Sequence, residues 1–187
     1  MKTLTLNLNQ SIIKRISNLS GGDLAILRRC NHNPLESEKL FPVLGKLGFL
    51  NSPTNSIIAC LYAAYHGQDD LPYFQPKFNF GEAFQRAYNP EHSKDKDIRF
   101  RSLLSTTDWD QLAYRLRQAV KLLKSKSVFI DFAILLRDLN SWNSENRWVQ
   151  REWAKGYYPS QDISPDNSNP EDNTASDEDE EENDSFL

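Results

Sequence analysis

Carboxylates and cationic side chains are the groups in this 187-residue chain whose types and spacing bear on chemistry. Asp131 and Asp138 stand seven apart, so a helix would put both on one face, as the beginning of a metal-dependent nuclease site. Two-metal phosphoryl chemistry needs several convergent carboxylates, however. An ordinary ion pair with Arg137 or with an arginine of a neighbouring helix accounts for the pair better. His32, His66 and His92 are scattered, without HxH, HxxxH or HExxH spacing, which argues against a metal site. No phosphate-binding GxxxxGKS or GxxxxGKT, no GxGxxG and no GxSxG occurs. Cys30 and Cys60 are isolated; one disulfide could be drawn, but the usage fits a reducing cytoplasm better. The expectation is binding rather than catalysis, with no metal and no cofactor.

The cations carry more information. On a wheel of 3.6 residues per turn, Trp109, Leu112, Ala113, Leu116, Ala119, Val120 and Leu123 share one face of a helix over 109–126. Arg117, Lys121 and Lys124 form a stripe on one flank, Arg115 and Lys126 lie on the other, and no acid after Asp110 neutralises either. Surface helices usually intersperse acids at i±4, because like charges repel. A second stripe, Arg147, Arg151 and Lys155, has Glu152 as its only neighbouring acid. Arg99 and Arg101 bracket Phe100, and Arg28-Arg29 end a short helix, where the dipole gives one of them a purely structural use. Any single stripe is explained by solubility and by long side chains lying along apolar surface. Several clusters rich in arginine, whose fork matches phosphate oxygens, point instead to a polyanion.

The elements that must position these residues are helices. Sustained period-two alternation is absent, and glycine is scarce for a fold of many tight turns. Helical spacing predicts segments over 12–19, over 24–30 with Asp23 as N-cap, and over 38–47, where Pro42 is an obstacle. Ser52-Pro53 is a cap followed by proline at the first helical position. It opens a run over 57–65 that is apolar nearly all round, as a central buried helix would be. Further helices are expected over 82–88, over 98–105 capped by Asp97, over 109–126 opened by a Thr107/Asp110 capping box, over 128–142 and over 145–156. Loops are expected over 67–80 and 89–96.

Net charge is −4, but the total conceals an asymmetry. Residues 160–187 hold 11 acidic side chains and no lysine or arginine, so the first 159 residues carry 22 basic against 26 − 11 = 15 acidic groups, or +7. The segment after Pro159 has almost nothing to bury and is expected to be disordered. We therefore divide the chain into a helical body, 1–159, and an acidic tail, 160–187. No apolar run is long enough to span a membrane and no secretion signal is evident, so a cytoplasmic protein is the default.

Several ordered stretches resemble a known family. Gly22-Asp23-Leu24-Ala25-Ile26-Leu27-Arg28-Arg29 is similar to the GDLAxLRR opening of the CasB family, the small subunit of the type I-E CRISPR surveillance complex, Cascade. Phe80-Gly81-Glu82-Ala83 and Arg99-Phe100-Arg101-Ser102-Leu103-Leu104 resemble its next two elements. The helix Leu116 to Lys124, the segment from Asp131-Phe132 to Trp142, and Arg147 to Tyr158 resemble its later ones. Phe132 stands where that family usually has tryptophan, Ile98 where it is often basic, and the acidic tail falls outside the pattern. The resemblance implies an all-α, compact multi-helix bundle without catalytic activity, holding guide RNA–target DNA hybrid and displaced strand beside other Cascade subunits and a second copy of itself. Base pairing reads sequence in such complexes, while protein supplies backbone contacts. On matching positions, the nucleic-acid-binding candidates are Arg28, Arg29, Arg99, Arg101, Arg117, Lys121, Lys124, Arg147 and Arg151. The competing reading is a structural scaffold whose basic residues dock acidic faces of neighbouring protein subunits.

Overall fold

The structure, a computed structural model, describes residues 2–30, 33–66, 78–88 and 94–158. Among the described residues the chain is all α, without a strand: α1 (Lys2–Ser17), α2 (Gly21–Arg28), α3 (Phe41–Leu47), α4 (Pro53–Tyr65), α5 (Phe80–Ala87), α6 (Lys94–Leu104), α7 (Trp109–Ser125), α8 (Phe132–Asn140) and α9 (Trp148–Tyr157). Two 3-10 turns, Pro34–Glu36 and Glu38–Leu40, join α2 to α3. None of these helices is long and apolar enough to cross a membrane. The acidic tail, 160–187, His32, His92 and most of the loops expected over 67–80 and 89–96 lie outside the described residues; where those loops are described, Phe80 opens α5 and Lys94 to Lys96 already belong to α6.

α4 is the axis, as its apolar run requires. Every residue from Ser56 to Tyr65 is buried, and the helix packs against α1, α2, α7 and α8. Ser52 caps it by accepting from the Asn55 N–H, with Pro53 in the first turn, where its missing N–H costs nothing. α7 runs between this group and a second one, in which α5 lies on α9 and α6 leans on α7. Trp142, Trp153, Tyr157, Phe84 and Phe100 are the large rings of that second group. Burying such side chains contributes on the order of 1.5–3 kcal/mol each, an amount set against the entropy of ordering the chain.

Helix starts differ from the expected ones for identifiable reasons. α2 begins at Gly21 because Ser20, not Asp23, is the cap; its hydroxyl accepts from Asp23 N–H. Pro42 does not interrupt a helix, since α3 starts one residue before it. Asp97 lies inside α6, and Asp108, rather than Thr107 with Asp110, caps α7 by accepting from Gln111 N–H at 2.9 Å. α5 carries the true capping box, with the Asn79 side chain accepting from Glu82 N–H and Glu82 accepting from Asn79 N–H. α1 extends ten residues further toward the N-terminus than the apolar spacing indicates. Its buried stripe continues through a polar residue: Asn9 is buried and donates to Ala133 O on α8 at 3.2 Å.

Candidate nucleic-acid interface

A helix ends with carbonyls that have no intrahelical donor and with a partial negative charge of about half an electron. In this bundle, basic side chains from other helices fill that need repeatedly. Arg15 donates to Leu47 O at the end of α3. Arg28 Nε donates to Ala63 O at 3.0 Å and Lys124 Nζ to Ala64 O at 3.4 Å, both in the last turn of α4. Arg117 donates to Arg28 O, the last residue of α2. Arg147 donates to Leu104 O, the last residue of α6, at 2.6 Å. Arg147 itself has φ 48 and ψ 38, a left-handed conformation costing roughly 1–2 kcal/mol for a residue with a side chain. Four of the nine residues singled out from sequence therefore hold one helix end against another element.

Arg117 corrects the reading of the α7 stripe. The residue is only 7% exposed and its guanidinium lies beside Cys30 and Cys60. The apolar face of α7 is wider than its hydrophobic residues imply, because α4 covers the Arg117 flank and the end of α2 meets it. Arg117 Nε and Nη1 have no hydrogen-bond partner among the described residues. Burial pushes its pKa down, against the upward pull of the two thiols. Cys30 and Cys60 are neighbouring buried thiols, not a disulfide. The hydrogen bond between them and their burial hold the Cys60 pKa well above its ordinary value.

The end of α4 also contains His66, which follows its last turn and lies against Tyr62 and Phe132, with ring centroids at 4.2 and 5.5 Å. Burial, and then the Lys124 ammonium, push the imidazole down to about 4. An unfolded chain takes up that proton near pH 6.5, well before the folded chain does. This contribution to stability is complete above pH 6.5 and is lost as pH falls through about 4. Chemical denaturation across that window is expected to show the wild type losing stability on acidification more steeply than His66→Phe.

The remaining candidates face solvent. Arg101 is paired with Asp97 at 2.7 Å, one turn earlier on α6. Arg29, Arg99, Lys121 and Arg151 are exposed and form no ion pair with any described residue. Arg29 shares a recess with Glu36 and Glu38, neither at ion-pair distance. Arg99 lines a groove of about 310 Å³ between α6 and α7, together with Arg115, Tyr114 and Gln118. Arg115 belongs with this group although sequence reasoning did not single it out as a candidate. Its sequence signal was the lack of any acid on α7 after Asp110.

Both paired carboxylates have structural tasks. Asp131 caps α8, accepting from Ala133 and Ile134 N–H at 2.9 Å. Asp138, 1% exposed, accepts from Trp153 Nε1 at 2.8 Å and from Arg137, so it fastens α8 to α9. Burial is the largest influence on both and raises their pKa values. Among the described residues, no three His, Cys, Asp or Glu side chains gather where a metal ion would bind.

Known proteins share this fold. A CasB from Thermus thermophilus has the same fold, with a TM-score of 0.65 at 29% identity over 83% of this chain and 98% of that one. A chain of a CRISPR RNA-guided surveillance complex matches in fold with a TM-score of 0.62 at 23% identity, covering 82% of this chain and 92% of that one. The CRISPR-associated protein Cse2 of Thermus thermophilus is 39% identical over 104 residues, which is 54% of this chain and 54% of that relative. The chain thus spans about half the length of the curated relative it matches. The profile of the CRISPR-associated protein Cse2 family matches residues 23–158, the stretch from α2 to the end of α9, and the chain belongs to that family.

Proposed function

We propose that this chain is the non-catalytic small subunit of a type I-E CRISPR RNA-guided surveillance complex, Cascade. In this reading, residues 1–159 bind nucleic-acid backbone without reading sequence and stabilise the R-loop of guide RNA and target DNA. Its partners are the guide–target hybrid, the displaced strand, other Cascade subunits and a second copy of itself, in the cytoplasm. The observation that carries the reading is that four of the nine candidates, Arg29, Arg99, Lys121 and Arg151, are exposed and meet no carboxylate among the described residues. Such groups bind phosphate by releasing counterions and need no geometry specific to a base. Membership of the Cse2 family and the fold shared with a surveillance-complex chain support it. Strand exchange in an R-loop is nearly balanced, so a few phosphate contacts tip it.

Expressed with the companion subunits of its own organism, the tagged chain should co-purify with them and with a small RNA of defined length. Recovery of the folded chain alone would contradict the assignment. A complex that forms normally with all four cations replaced, yet opens target DNA poorly, would separate nucleic-acid binding from the scaffold alternative.

A further inference from the structure

The groove between α6 and α7 has a composition that simple phosphate binding does not require. Its floor is apolar, with Phe100, Leu103, Ala119 and Leu122 among its residues, and no carboxylate among the described residues lines it. Tyr114, 51% exposed, stands at its rim, a large aromatic left in solvent while the apolar face of the same helix is buried. Gln118 follows one turn later, offering both a donor and an acceptor. Arg115 Nε is buried there and has no hydrogen-bond partner among the described residues. Arg99 supplies a second guanidinium from the opposite wall. A buried donor without an acceptor is costly, on a scale that a ligand oxygen would relieve.

We propose that this groove takes one unpaired base of a single-stranded nucleic acid, the base against Tyr114 and the apolar floor, its polar edge toward Arg115 and Gln118, and its phosphate on Arg99. The proposal rests on the nucleic-acid reading above and goes further, because it requires a base and not only a backbone. The volume of about 310 Å³ lies at the small end of ligand pockets, enough for one ring system and too little for a helix. Charge selects the occupant: two guanidinium groups, with no acid beside them among the described residues, favour an anionic ligand, and an exposed aromatic next to them favours one carrying a flat ring. Paired bases inside a duplex present no such face, so the groove prefers a displaced or otherwise unpaired strand.

The test uses the full chain and two fluorescent probes: an oligothymidine of about 20 nucleotides, the length of a Cas9-type guide–target hybrid, and an abasic strand of equal length. Tyr114→Ala is expected to weaken oligothymidine binding about tenfold, the size of a single base–aromatic stack, and to leave the abasic strand unaffected. Tyr114→Trp should retain the wild-type preference. Because Tyr114 is half exposed, circular dichroism should show both variants folded. Equal affinity of the wild type for the two probes, unchanged by Tyr114→Ala, would overturn the groove proposal and leave backbone binding intact. Failure of the wild type to bind either probe would overturn both readings. Displacement of both probes to the same extent by polyglutamate, with no effect of Tyr114→Ala, would assign the groove to carboxylates and also overturn it.

Discussion

Replacing Arg117 with alanine is expected to destabilise the protein by about 2–4 kcal/mol while leaving the nucleic-acid affinity of the folded molecules unchanged. The side chain is buried, and its removal does two things at once. Arg28 O, at the end of α2, loses its donor, and a cavity opens beside Cys30, Cys60 and Ile57. Two of the three guanidinium nitrogens have no partner among the described residues, so the charge itself is poorly compensated where it lies. Arg117→Met, which keeps most of the volume and removes the buried charge, should therefore lie much closer to wild type than alanine does. Urea denaturation at constant m reads the difference. Lys121→Ala, one turn along but exposed, should stay within about 0.5 kcal/mol of wild type.

A second large effect is expected at the crossing of α5 and α9. A methyl group on Gly81 would sit 1.8 Å from Trp153 O, and one on Gly156 would sit 2.7 Å from Asn79 Oδ1 and Glu82 Cγ. The two helices approach through these glycines, and the obstacle at Gly81 is backbone, which cannot turn aside as a side chain can. Gly81→Ala should cost about 2–3 kcal/mol, since overpacking exceeds the helical preference of alanine, worth roughly 0.5–1 kcal/mol. Gly45→Ala on α3 is the control. Its nearest neighbour would be Leu50 Cδ1 at 3.7 Å, so only the helical preference remains and stability should rise by roughly 0.5–1 kcal/mol.

The all-helical bundle and its axis were legible in the sequence because Ser52-Pro53 and the apolar run after it act locally. α7 was legible because Leu112, Leu116, Val120 and Leu123 repeat at helical spacing. The beginning of α1 was not, since its stripe passes through Asn9, whose acceptor, Ala133 O, lies far along the chain. The caps at Ser20 and Asp108 were missed in favour of better-looking neighbours one to three residues away, a choice settled by backbone angles rather than by residue type. The candidate site divides along the same line. A wheel gives the angle of Arg117 but not how far α4 wraps around α7. Nor does it show that Arg28, Lys124 and Arg147 reach carbonyls, which every residue has and no letter announces. Two of the α7 cations, Arg117 and Lys124, spend their charge on the ends of α2 and α4.

In the proposed function the basic side chains divide between holding helix ends and meeting phosphate. The most direct test measures the binding of the full chain to an oligonucleotide over a range of salt concentrations, for wild type and for the combined alanine replacement of Arg29, Arg99, Lys121 and Arg151. The slope of log K against log salt should become shallower by roughly 3, at about 0.7–0.9 for each phosphate no longer neutralised, with the unfolding midpoint preserved. An unchanged slope in a folded variant would contradict the account.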